Sequence, residues 1–96
     1  MSSPNVRIVV TSCLIEFLDS TNRPTGGFDE NTNLIKGLGL KSDEGLDFVL
    51  DLCQKLNVDF PHDYNPFVHG SGRRGAKVGE MIRQVEILYA QMGAAA

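Results

Sequence analysis

Tryptophan is absent from this 96-residue chain, and phenylalanine and tyrosine together make up only 7% of it. An aromatic cage for a large planar ligand is therefore not expected. Long hydrophobic runs are lacking as well, since no stretch approaches the roughly 18 apolar residues that a membrane span needs. The opening MSSPNVRIVV does not have the basic-then-apolar layout of a secretory signal. The expected compartment is the cytosol, without membrane insertion. Cysteine is scarce: Cys13 and Cys53 lie within apolar patterns, which suits reduced core thiols better than a disulfide framework. His62 and His69 have no metal-ligand spacing with either cysteine, so no metal site is expected.

What is present is ordinary globular material, 42% hydrophobic and 22% charged, enough for one domain with a single modest core and an expected monomeric state. The net charge of −3 hides an asymmetry. Residues 29–63 hold eight acids and three bases, whereas residues 64–96 hold four bases and two acids. No continuous basic surface is available to engage phosphates, which argues against nucleic-acid binding.

Three stretches carry helical periodicity. Residues 3–18 begin with Ser3 as N-cap and Pro4 at the first helical position, then place apolar residues at 6, 9, 10, 13, 14, 17 and 18. Val6, Ile8, Val9 and Val10 are β-branched and would suit a strand, but the later positions keep the helical period. Residues 42–56 give a second helix with Leu46, Val49, Leu50, Cys53 and Leu56 as its apolar stripe. Asp43, Asp47 and Asp51 follow one another at i+4 steps on the opposite face, with Glu44 beside them. Like charges at that spacing cost an isolated helix about 0.2–0.5 kcal/mol per pair, so a role beyond helix stability is worth asking for. Residues 77–92 form the last helix. Between them lie a long loop over 19–41, anchored by Phe28, Leu34, Ile35, Leu38 and Leu40, and a segment over 57–75 that starts with Asn57 as C-cap. The latter fits only a short helical turn around 62–68 before its Gly/Arg loop. Each long helix has one apolar side and must bury it against the others, which gives an all-α bundle.

Ser42 has two readings. It is a natural N-cap for the second helix, with Asp43 and Glu44 on the positive dipole end. It is also an exposed hydroxyl at a helix start, where a phosphate ester would be favoured. The two roles are compatible.

Leu38-Gly39-Leu40-Lys41-Ser42, with LDFVLDLCQKLNVDFP following at the matching distance, resembles the acyl and peptidyl carrier proteins. The upstream FDENTNLIKGLG and the later KVGEMIRQV are similar to that family's long loop and final helix, so the likeness covers most of the chain. It implies a single-domain, four-helix bundle with three long helices and one short one. It also implies that Ser42 is the attachment point of 4′-phosphopantetheine, a thiol arm that carries acyl groups as thioesters in fatty acid or polyketide biosynthesis. The implied partners are a phosphopantetheinyl transferase and acyl-transferring or synthase enzymes whose basic patches meet Lys41, Asp43, Glu44, Asp47 and Asp51. Lys41 and Asp43 depart from the family's Asp-Ser-Leu, and the segment between Pro61 and Val78 is longer than usual. The alternative is an unmodified carrier-like module kept for protein–protein binding.

HGSGRRG reads either as an anion grip or partner-specific loop using Arg73 and Arg74, or as a solvated loop, and its ending is not that of a P-loop. A hydrolase would need Ser42 or a cysteine paired with histidine in a concave site, for which a chain this short leaves little room. No enzymatic activity and no catalytic residue are expected.

Overall fold

Helix α1, Val6–Ser20, starts where Asn5 Oδ1 accepts the Ile8 N–H at 3.2 Å. This computed structural model describes residues 5–61, 64–69 and 74–93. The helix thus begins three residues later than the sequence pattern suggests. The side chain that satisfies one of its orphan N–H groups is Asn5, while Ser3 and Pro4 lie outside the described residues. Despite its β-branched opening α1 is helical, because Val10, Cys13, Leu14, Phe17 and Leu18 fall on one buried face. It ends as Asn22 turns left-handed, at φ 59°, and the Arg23 N–H donates to Leu18 O at 2.8 Å.

The long loop is packed down, as its apolar residues predict. Leu34 and Leu40 are buried, and Phe28 and Leu38 pack against the core. Asn33 organises the middle of the loop. Its Oδ1 accepts the N–H groups of Ile35 and Lys36, both at 2.9 Å, and its Nδ2 reaches Gly75 O at 3.0 Å.

Helix α2 spans Glu44–Leu56 and closes at Asn57, which is left-handed at φ 57° as a C-cap should be. Its buried side is Gly45, Phe48, Val49, Leu52 and Leu56, with Cys53 half-buried. Leu46 and Leu50, placed by the sequence pattern in the apolar stripe, are 50% and 62% exposed. Apolar residues occupy too wide an arc of α2 for periodicity alone to fix its rotation, and the two phenyl and leucyl side chains of Phe48 and Leu52 take the core.

After α2 the expected short helix does not form among the described residues. Single turns close from Pro61 O to the Tyr64 N–H at 3.0 Å and from Asn65 O to the Val68 N–H at 3.4 Å. Pro61 and Pro66 lack the N–H donors that successive helical turns require. An antiparallel ribbon follows instead, with β1 (Val68–His69) pairing Val68 with Gly75 and His69 with Arg74 of β2 (Arg74–Gly75). The chain beyond β2 zips onto the long loop: Leu34 N–H donates to Ala76 O, Val78 N–H to Thr32 O and Gly79 N–H to Glu30 O, at 2.8–2.9 Å. Helix α3, Val78–Gly93, completes the fold.

The described residues therefore hold three helices, with α1 packed against both α2 and α3. At the centre Phe17 of α1, Phe48 of α2 and Phe67 meet with ring centroids 5.1–5.9 Å apart. Each such buried ring contributes about 1.5–3 kcal/mol by leaving water. Both cysteines are free, Cys13 buried and Cys53 half-buried. No helix among the described residues is long and apolar enough to cross a membrane.

Candidate functional site

Lys41, Ser42 and Asp43 form the turn that leads into α2, and all three are exposed. The turn stands between the end of α1, the end of the long loop and the segment before β1. Three side chains support it, Glu44 and Asn65 by hydrogen bonds to its backbone and Arg23 through Glu44, and that of Ser42 is not among them.

The first involves Glu44. Its Oε1 accepts the Lys41 N–H at 2.9 Å, so the carboxylate reaches back over the turn as the acid of a capping box does. The Ser42 hydroxyl forms no hydrogen bond among the described residues and does not cap the helix. That corrects the expected N-cap, because the first N–H groups of α2, those of Glu44, Gly45 and Leu46, already bond the carbonyls of Lys41, Ser42 and Asp43.

The second support is Arg23. Its guanidinium donates to Glu44 Oε2 at 3.1 Å and to Glu44 Oε1 at 2.9 Å, and Nη2 also reaches Gly39 O at 3.0 Å. The two side chains are only 19% and 22% exposed, which shelters the pair from the screening that weakens surface ion pairs. The Arg23 hydrogen bonds hold the Glu44 carboxyl below the usual carboxylate range, assisted by the Lys41 N–H and opposed by burial. Gly39 accommodates this geometry at φ +74°, a conformation that side-chain-bearing residues rarely adopt.

The third is Asn65, whose Nδ2 donates to Ser42 O at 2.6 Å while Oδ1 accepts the Phe67 N–H at 3.0 Å. Ser42 O also accepts the Gly45 N–H at 3.2 Å. The outcome is a serine whose carbonyl is held by Asn65 and the Gly45 N–H, and whose hydroxyl is exposed and unengaged among the described residues.

Around it the charged residues divide. Asp43, Asp47 and Asp51 are exposed and make no ion pair among the described residues, as a solvated or partner-facing acidic side requires. With successive residues about 100° apart, Leu46 and Leu50 project next to these acids instead of opposite them. The result is a mixed acidic and apolar face beside Ser42. Glu44 does not belong to that face, since its carboxylate is occupied by Arg23 and the Lys41 N–H.

Arg74 lies in β2 and donates to Glu80 Oε2 at 3.2 Å, while Arg73 lies outside the described residues. The expectation of an anion grip thus falls in part outside the described residues, and within them Arg74 is engaged by Glu80. His62 also lies outside them, and His69 is in β1. No cluster of histidine, cysteine or acidic residues suited to a metal ion occurs among the described residues.

The Glu80 arrangement repeats the one at Ser42. Its Oε1 accepts the Lys77 N–H at 2.9 Å, so Lys-x-x-Glu opens both α2 and α3, and in each case an arginine engages the carboxylate. The repeat Gly39-Leu40-Lys41-Ser42-Asp43-Glu44 and Gly75-Ala76-Lys77-Val78-Gly79-Glu80 was the available signal for this device. Nothing local pointed to Arg23 or Asn65, whose partners are 21 and 23 positions away.

No family model, curated protein or solved structure matches the chain.

Proposed function

We propose that this chain is an acyl-carrier-like domain bearing 4′-phosphopantetheine on Ser42 and delivering a thioester-bound acyl or related group to partner enzymes. One observation carries the reading: the backbone of the turn is pinned by Glu44 at the Lys41 N–H and by Asn65 at the Ser42 carbonyl, while the Ser42 hydroxyl is left exposed and without a hydrogen bond among the described residues. An ordinary cap would spend that oxygen on the helix N–H groups. An attachment point needs it free and held at a fixed place.

Attachment forms a phosphodiester between Ser42 Oγ and the pantetheine phosphate of coenzyme A. The pyrophosphate bond of the donor breaks, adenosine 3′,5′-bisphosphate leaves and the hydroxyl proton passes to the transferase. When bound, the group supplies a thiol on a long flexible arm. The protein's part is tethering and recognition, which raise the local concentration of the cargo and choose its partner.

Asp43, Asp47 and Asp51 with the exposed Leu46 and Leu50 suit a partner that offers cations around an apolar contact. The same face favours a second reading, an unmodified interaction module, because it needs nothing of Ser42. Lys41 and Asp43 in place of the family's aspartate and leucine point the same way.

Incubation with coenzyme A and a broad-specificity phosphopantetheinyl transferase, followed by intact-mass measurement, separates the two. The carrier reading expects one added phosphopantetheine, absent from Ser42→Ala. No addition, or addition that persists in Ser42→Ala, leaves the interaction module.

A further inference from the structure

Ser42 is connected to the hydrophobic core through one side chain. Asn65 bonds Ser42 O with its Nδ2 and the Phe67 N–H with its Oδ1, and the Phe67 ring is fully buried against Phe17 and Phe48. Only a primary amide of this length offers a donor and an acceptor side by side for those two backbone groups; a carboxylate has no donor and a hydroxyl cannot reach both. Gly45 leaves the space the amide occupies, since a Cβ there would overlap the Asn65 Oδ1.

We infer that Asn65 is a positioning residue for group transfer at Ser42, fixing the backbone from which the hydroxyl attacks by referring it to the Phe67 ring. This rests on the carrier reading above. Ser42 Oγ is one rotatable bond from the main chain, so the direction of attack on phosphorus follows the backbone of the Lys41–Asp43 turn. That turn precedes the first residue of α2, and its own carbonyls are held along the chain only by i→i+3 bonds from the Glu44, Gly45 and Leu46 N–H groups, at 3.0, 3.2 and 3.4 Å. Without the Asn65 amide the Ser42 carbonyl keeps only the longer bond from the Gly45 N–H, at 3.2 Å in place of 2.6 Å, so the turn takes up other conformations and fewer encounters with the transferase place the oxygen in line. The α2 face of Asp47, Leu46 and Leu50 is unaffected. The loss consequently falls on kcat and not on the KM for the protein.

The test is steady-state transfer from coenzyme A to the intact chain, followed by mass, in wild type and in Asn65→Asp and Asn65→Ser. Asn65→Asp keeps the acceptor for Phe67 and removes only the donor to Ser42; Asn65→Ser removes the strut without setting a carboxylate beside a carbonyl. A near-attack geometry loosened in this way lowers kcat on the order of tenfold, with KM within about twofold and folded spectra retained. Wild-type kcat in both variants overturns the inference and leaves the carrier reading standing. A loss of rate accounted for by the fraction of unfolded chain also overturns it. Absence of transfer to wild type overturns the carrier reading and this inference with it.

Discussion

The Cα of Gly45 lies against the side-chain amide of Asn65, in space where a methyl group would collide with Oδ1. A glycine in the first turn of a helix therefore has a steric purpose. Judged by helix propensity alone, Gly45→Ala would stabilise α2 by about 1 kcal/mol. The contact reverses the sign, because the amide cannot move without giving up both Ser42 O and the Phe67 N–H. Each lost hydrogen bond costs about 0.5–1.5 kcal/mol. Urea unfolding should show Gly45→Ala to be less stable than wild type.

Arg23 and Glu44 predict the acid side of the stability profile. The folded-state pKa of Glu44 is depressed, chiefly by Arg23, so the pair's contribution is fully present above the ordinary glutamate value. It is lost as pH falls from about 4.3 through the lower folded value. Glu44→Gln should flatten that part of an unfolding free-energy profile measured from pH 7 to pH 3. Arg23→Ala should cost about 1.5–3 kcal/mol at neutral pH, the range for hydrogen bonds to charged groups.

Tyr64 governs the alkaline side. Its hydroxyl is buried without a hydrogen-bond partner among the described residues, and burial pushes its pKa above the ordinary phenol value. A raised pKa means stability that is intact below the unfolded value and declines as pH rises past about 10. Tyr64→Phe removes an unpaired polar group at nearly constant shape, so it should be neutral or stabilising by up to about 1 kcal/mol. It should also remove the alkaline decline seen in wild type by denaturant titration.

On α2 the two kinds of apolar residue should separate in a stability series. Leu46→Ser and Leu50→Ser alter exposed side chains and should shift unfolding by no more than about 0.5 kcal/mol. Phe48→Ala, in the aromatic cluster, should cost about 3–5 kcal/mol. Equal losses in the two groups would mean that α2 is rotated from the orientation described.

The helices were legible because their buried residues recur at the period of the secondary structure, as Val10, Cys13, Leu14, Phe17 and Leu18 do in α1. Asn57 was legible as a C-cap because few other residues tolerate a left-handed conformation. Rotation was a different matter. Val49 and Leu56 belong to both candidate stripes of α2, and only packing against Phe17 and Phe67 decides that Phe48 faces inward and Leu50 outward. The ribbon was hidden for another reason. Its strands are two residues long, too short for an alternating pattern, and Gly75 of β2 is fixed by Asn33 from 42 positions away. At the site, Ser42 stood out by its exposed helix-start position, but the groups that hold it are distant in sequence, and Glu44 reads as a surface acid until Arg23 is brought to it.

The Asn65 strut has a temporal side. The residues that hold Ser42 are separated in the order of synthesis: Arg23 emerges before it, Glu44 with it, and Asn65 and Phe67 only after α2 is complete. A nascent or truncated chain ending before residue 65 has the serine but not its frame. The turn at Ser42 is thus completed from the C-terminal side of α2, and a fragment differs from the whole chain in the bond its Ser42 carbonyl lacks.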